Sequence, residues 1–161
     1  MGNPEGDEGR DPSAGPVAAS AGAISPQLAR SLQATDAAWR RLEAEFGLLT
    51  VAEVAELLGA GPSNGDDVRT KHAGNQLLGV LRGGEVRFPG FQFDRENGVV
   101  LPIIAALIQL AHENRFRDED LALWLQAPTT SFEEEDRPAD HLRRDPDAVL
   151  AAARSAFEAT W

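Results

Sequence analysis

Three histidines, His72, His112 and His141, are the side chains of this 161-residue sequence best able to hold a metal or move a proton, and they lie far apart. None has a second histidine three or four positions away, the spacing that puts two ligands on one helical face. Cysteine is absent, which excludes a thiolate zinc site and a disulfide framework. No Gly-rich strand-to-helix loop offers a phosphate cradle, and no nucleophile stands beside a base in a catalytic spacing. The carboxylates from Glu133 to Asp136 form the kind of acidic run that is ordinarily just solvated in a loop. The expectation is a protein that is not an enzyme and holds neither metal nor cofactor.

Binding is better represented. Arg69, Lys71 and His72 fall within one short segment, and Arg82 and Arg87 follow it. Basic residues so placed could meet phosphates of DNA. From Asp66 to Gln92, however, four Lys/Arg stand against three Asp/Glu, inside a chain of net charge −11. Asp66 and Asp67 fall where a helix would begin, and there they would repel the phosphates that supply most affinity. The overall acidity argues against nonspecific binding to nucleic acid or to an anionic membrane. The most apolar run, residues 98–111, is shorter than the roughly 20 residues a membrane-crossing helix needs. The opening MGNPEGDEGR lacks the charged-then-apolar pattern of a signal peptide. A cytoplasmic location is expected.

These residues need elements to hold them. Residues 1–24 carry hardly a bulky apolar side chain, too little to offset ordering entropy, and are expected to form a disordered acidic tail. Ser25-Pro26 then reads as a helix start, with serine as cap and proline at the first helical position. Leu28, Leu32, Trp39, Leu42 and Phe46 recur at helical spacing and predict a stripe over residues 25–47. That stripe packs on its own domain, or serves as a dimerising or partner-docking helix.

Thr50 and Glu53 are set for a reciprocal cap on a second helix, which Gly59 stops. A third helix should run from Asp66 or Asp67 to Ala73, with Gly74 as its stop. Two apolar runs, Leu77 to Leu81 and Val86 to Phe93, flank Gly83-Gly84 and predict a hairpin. Pro89 breaks the second strand or confines it to an edge. Residues 48–95 therefore read as a small winged helix-turn-helix-like unit. Phe91 and Phe93, two apart on an extended segment, should share one side and pack as core.

Residues 96–161 read as helices: an apolar one after Pro102, one from Asp118 to Gln126 with Leu121, Trp124 and Leu125 inward, a turn at Pro138 to Leu142, and a last helix capped by Asp145. The fold class expected is mainly α, with one β-hairpin.

The capped helix TVAEVAELLG, the segment AGNQLLGV, the turn FPGFQFD, the Pro-started helix GVVLPIIAALIQL and LALWLQAP, in that order, resemble the Xre/MbcA/ParS-type antitoxins over residues 49–161. The resemblance implies a non-catalytic protein that occludes a co-encoded toxin, commonly a RES-domain enzyme that consumes NAD; such proteins often also bind operator DNA and repress their own operon. It implies a compact helical toxin-binding domain and toxin contacts through Trp124, Pro128, Phe132, Pro138, Leu142, Phe157 and Trp161. Oligomerisation would run through the helix of residues 25–47. The alternative is a stand-alone helix-turn-helix transcription regulator whose helical half only dimerises.

Overall fold

A computed structural model describes residues 25–61, 64–132 and 136–159. The chain divides into two compact units between Ala37 and Ala38. Helix α1, Pro26–Phe46, begins in the first, where the Leu28 amide donates to Ser25 Oγ at 3.1 Å as a serine cap should. The stripe expected to act as one surface is divided. Leu28 and Leu32 are 47% and 55% exposed, whereas Trp39 and Leu42 are buried in the core of the second unit and Phe46 is half-buried. The expected tail, Trp161 and the acidic residues Glu133 to Glu135 lie outside the described residues.

The second unit is mainly helical with a small antiparallel sheet. Strand β1 (Leu48–Leu49) leads into helices α2 (Val51–Leu57) and α3 (Gly65–Ala73), then strands β2 (Val80–Arg82) and β3 (Glu85–Pro89). The sheet order is β1-β3-β2, with Leu48 opposite Pro89 and Val80 opposite Arg87. A 3-10 turn (Gly90–Gln92) joins a second hairpin, β4 (Phe93–Asp94) with β5 (Val99–Val100). Helices α4 (Ile103–Glu113), α5 (Asp118–Gln126), α6 (Pro138–His141) and α7 (Pro146–Glu158) complete it. The halves expected to meet at residue 95 belong to one unit.

Local chemistry explains most of these boundaries. Thr50 Oγ1 accepts from Glu53 N–H at 3.1 Å while Glu53 Oε1 accepts from Thr50 N–H at 2.8 Å, the reciprocal cap read from the sequence. Gly59, at φ +81°, stops α2. Helix α3 ends at Ala73 with Gly74 as its C-cap, as expected, and the residue in the left-handed region is the next one, Asn75, at φ 61°. Asparagine tolerates that conformation, and its placement lets Gln76 N–H reach the Lys71 carbonyl at 2.9 Å. Helix α4 is less wrapped than its composition implies. Ile104, Leu107, Ile108 and Ala111 are buried on one face, while Ala105, Ala106 and Gln109 are exposed. Small alanines made an amphipathic helix look apolar all round.

Two cores fill the unit. One lies among α2, α3 and the sheet and contains Val54, Ala55, Val68, Leu77, Phe88 and Phe93. The larger gathers Trp39, Leu42, Leu78, Phe91 and the inward faces of α4, α5 and α7. Burial of each such leucine or phenylalanine stabilises by about 1.5–3 kcal/mol. Phe91 and Phe93 are both buried, at 7% and 5%, yet they enter different cores. The 3-10 turn breaks the strand alternation that would have put them on one side.

The boundary between the cores is held by Gln92, fully buried. Its Oε1 accepts from Leu78 N–H at 2.8 Å, and its Nε2 donates to the Leu78 and Pro89 carbonyls at 2.8 and 3.0 Å. The side chain thus does for Leu78 what a neighbouring strand would do. This is why β2 starts at Val80 and not at the expected Leu77. Gln92→Leu leaves three buried backbone groups unpaired and should cost roughly 3 kcal/mol or more, at about 1–3 kcal/mol for each orphaned group. Urea denaturation measures it, and an unchanged midpoint would show that Leu78 is satisfied without the amide.

Asp94 organises the second hairpin. Its Oδ2 accepts from Asn97 Nδ2 at 2.6 Å, its Oδ1 from the amides of Glu96 and Asn97, and Arg143 lies 3.4 Å away. The Asn97 side-chain bond foremost, then its amide and Arg143, hold the Asp94 carboxyl below its ordinary 3.8 against the opposing effect of burial. A depressed folded value means stability present above pH 3.8 and lost as pH falls through the folded value. The acid limb of a thermal stability profile should therefore be shallower in Asp94→Asn than in the parent.

Candidate nucleic-acid interface

Helix α3 packs on α2 through Val68, which is fully buried, and Gly65 permits the close approach, since a Cβ there would lie 2.9 Å from Val51 Cγ1. With Val68 inward, Asp66, Arg69, Thr70 and Ala73 line up on the exposed face at spacings of three and four. Strands β2 and β3 and their turn at Gly83-Gly84, both at positive φ, form a hairpin that follows α3 in the chain. A helix-turn-helix followed by such a hairpin is the arrangement in which the second helix can enter a major groove.

The five basic residues expected here have different surroundings. Arg69 is exposed and lies 3.3 Å from Asp66, one turn back on its own helix. Lys71, half-buried, is 3.9 Å from Asp67. Arg87 is 3.2 Å from Glu85 on the same strand. Arg82 sits with its guanidinium 4.5 Å above the Trp39 ring, a cation–π contact that turns it toward α1. His72 meets the Phe88 ring edge-on at 5.6 Å, and Gly79 makes room for it, since a Cβ there would lie 2.7 Å from His72 Nε2. His72 is thus part of the joint between α3 and the wing. All three carboxylates, Asp66, Asp67 and Glu85, are solvent-exposed, and such surface pairs contribute only about 0–1 kcal/mol.

The residues expected at a toxin interface are also placed. Pro138, Leu142 and Phe157 are buried and hold the helices to one another; burial denies them a contact face on the folded unit. Trp124, half-buried, meets Phe157 at 5.2 Å, and Phe132 stacks on His141 at 4.4 Å and 5°. Pro128 is exposed, and Trp161 is outside the described residues. Among the described residues no group of three or more His, Cys, Asp or Glu side chains could hold a metal. No described helix is long and apolar enough to cross a membrane.

One residue that bears on the wing is not legible in the sequence. Strand β2 is an edge, and Glu119 of α5 accepts the Leu81 amide through Oε2 at 3.0 Å. An edge strand left open is a template for pairing with another chain, and this carboxylate closes it. Glu119 also ties the wing to the helical half. Glu119→Ala should speed hydrogen exchange at the Leu81 amide by tenfold or more, while Glu119→Gln, which keeps an acceptor oxygen, should recover most of the protection. Equal exchange in all three proteins would remove Glu119 from this role.

No family model matches the sequence, and no curated protein matches it. Among solved structures, the NMR structure of Rv2175c is similar: 25% identical, with a TM-score of 0.61, over 70% of this chain and 82% of that one. The likeness therefore extends over most of both chains and is carried by the mainly helical fold with its small antiparallel sheet.

Proposed function

We propose that this protein binds double-stranded DNA as a transcription regulator, with α3 as the groove-reading helix and the β2–β3 hairpin as a flanking wing. The observation that carries this reading is the joint of α3 to the wing: Val68 and His72 turn inward and present Arg69 and Thr70 on the outward face. Four cations, Arg69, Lys71, Arg82 and Arg87, lie on α3 and the hairpin; Asp66, Asp67 and Glu85 pair with three of them, and Arg82 stands over Trp39. Affinity should accordingly be modest and sequence-dependent. The slope of log K against log salt should be no steeper than about −4, at roughly 0.9 per phosphate neutralised.

The test is selection of bound duplexes from a random pool, followed by fluorescence anisotropy at low salt. Arg69→Ala and Lys71→Ala should each weaken binding several-fold. Asp66→Asn with Asp67→Asn should strengthen it, because two repulsive carboxylates leave the helix N-terminus. Failure to retain any duplex, or affinity indifferent to all four changes, would overturn the proposal.

A second reading, the occlusion of a basic enzyme site, is supported by the net charge of −11. A NAD-consuming toxin of the RES-domain type must hold a pyrophosphate with basic side chains, and an acidic blocker suits such a site. Its contact surface would be the exposed parts of Trp124, Pro128 and Phe132, since Pro138, Leu142 and Phe157 are buried. Co-expression with the neighbouring reading frame separates the two: a stable complex that silences a toxic partner favours occlusion, and recovery of the chain alone favours regulation.

A further inference from the structure

Away from the wing turn, at the opposite end of strand β3, a cleft of about 700 Å³ opens against Phe46, Phe91 and Phe93. Three arginines reach it: Arg95 from the turn between β4 and β5, and Arg143 and Arg144 from the segment between α6 and α7. Each is held by a single nitrogen. Arg95 Nη2 donates to the Phe46 carbonyl at 3.1 Å, Arg144 Nη2 to the Asp140 carbonyl at 3.3 Å, and Arg143 Nη2 lies 3.4 Å from Asp94 Oδ1. A guanidinium carries five N–H donors, so each keeps most of its donors for something else.

The kind of acceptor matters. A backbone carbonyl orients a guanidinium without cancelling its charge, and Arg95 and Arg144 form no ion pair among the described residues. Arg69, Arg87, Arg117 and Arg137, by contrast, all sit on carboxylates. Two carboxylates also line the cleft. That of Asp140 is already engaged by Arg137 at 3.0 Å, whereas that of Glu96 forms no ion pair among the described residues. The volume is within the range of small-molecule sites.

We propose that this cleft binds a hydroxylated organic phosphate of nucleotide or sugar-phosphate size. Arg95 and Arg144 hold the phosphate through paired N–H···O bonds, the geometry for which a planar guanidinium is suited. Two uncompensated guanidinium groups match a doubly charged monoester, and the Glu96 carboxylate accepts from a ligand hydroxyl. The inference stands independently of DNA binding, since it uses none of the residues of α3 or the wing turn.

Isothermal titration of the full chain with AMP, ribose 5-phosphate and inorganic phosphate tests it. Saturable binding of at least one organic phosphate is expected, weakened tenfold or more in Arg95→Ala and in Arg144→Ala, and partly recovered in Arg144→Lys. Should Arg95→Ala fail to fold for want of its bond to Phe46, Arg144→Gln carries the test alone. No saturable binding of either organic phosphate, or unchanged affinity in the folded variants, would overturn the proposal. So would inorganic phosphate binding as tightly as the organic phosphates, or displacement of AMP by duplex DNA, which would assign the arginines to the DNA backbone.

Discussion

Everything between the second helix and the helical half hangs on one buried amide. Gln92 pairs with both backbone groups of Leu78 and with the Pro89 carbonyl, and it does so with no water-accessible surface of its own. Burying an amide without partners is costly, and these three bonds offset that cost. Their formation places Leu77 in one core and Leu78 in the other. The bond back to the Pro89 carbonyl also spans the 3-10 turn, Gly90–Gln92, across which Phe91 and Phe93 enter different cores. The two cores share a wall, and Gln92 is its polar centre.

That wall has tight neighbours. Gly90 donates to the Gly47 carbonyl at 2.9 Å, and any Cβ at Gly90 would collide with the Phe46 carbonyl. The end of helix α1, the end of strand β3 and the turn are therefore packed backbone to backbone. Interiors at native density transmit such constraints because they do not compress. Arg137 adds a side-chain tie in the same region, with Glu45 and Asp140 as partners and the Phe46 ring 5.1 Å beneath its guanidinium.

Charge is arranged by the same local rules. Helices α5 and α6 both begin with arginine followed three residues later by aspartate: Asp120 accepts from the Arg117 amide at 3.0 Å, and Asp140 from the Arg137 amide at 3.3 Å. The aspartate satisfies an orphan donor and favours the helix dipole, while its own arginine offsets its charge. The charges of Arg117 and Arg137 are thus offset where they stand, each by a carboxylate three residues along its own helix. Where an arginine is instead positioned by a carbonyl, its charge remains available, and that difference separates the cleft by Phe46 from the face of α3.

Punctuation and periodicity were sufficient to place the helices. The Thr50–Glu53 cap, the Asp145-Pro146 start and the Gly59 stop act within four residues, so no distant partner can change them. The hairpin turn and the mainly helical class were legible for the same reason. What the tertiary structure decided are features in which residues far apart in sequence meet. The division of the α1 stripe depends on which of its leucines has a core to enter. The separation of Phe91 from Phe93 depends on a 3-10 turn stabilised by Leu78, fourteen positions from Gln92. Arg82 turned toward Trp39, Glu119 on the Leu81 amide and three arginines around one cleft are likewise long-range pairings. Residue type and spacing report on the chain's own neighbours; a buried amide or a carbonyl-held guanidinium is defined by partners that only folding supplies.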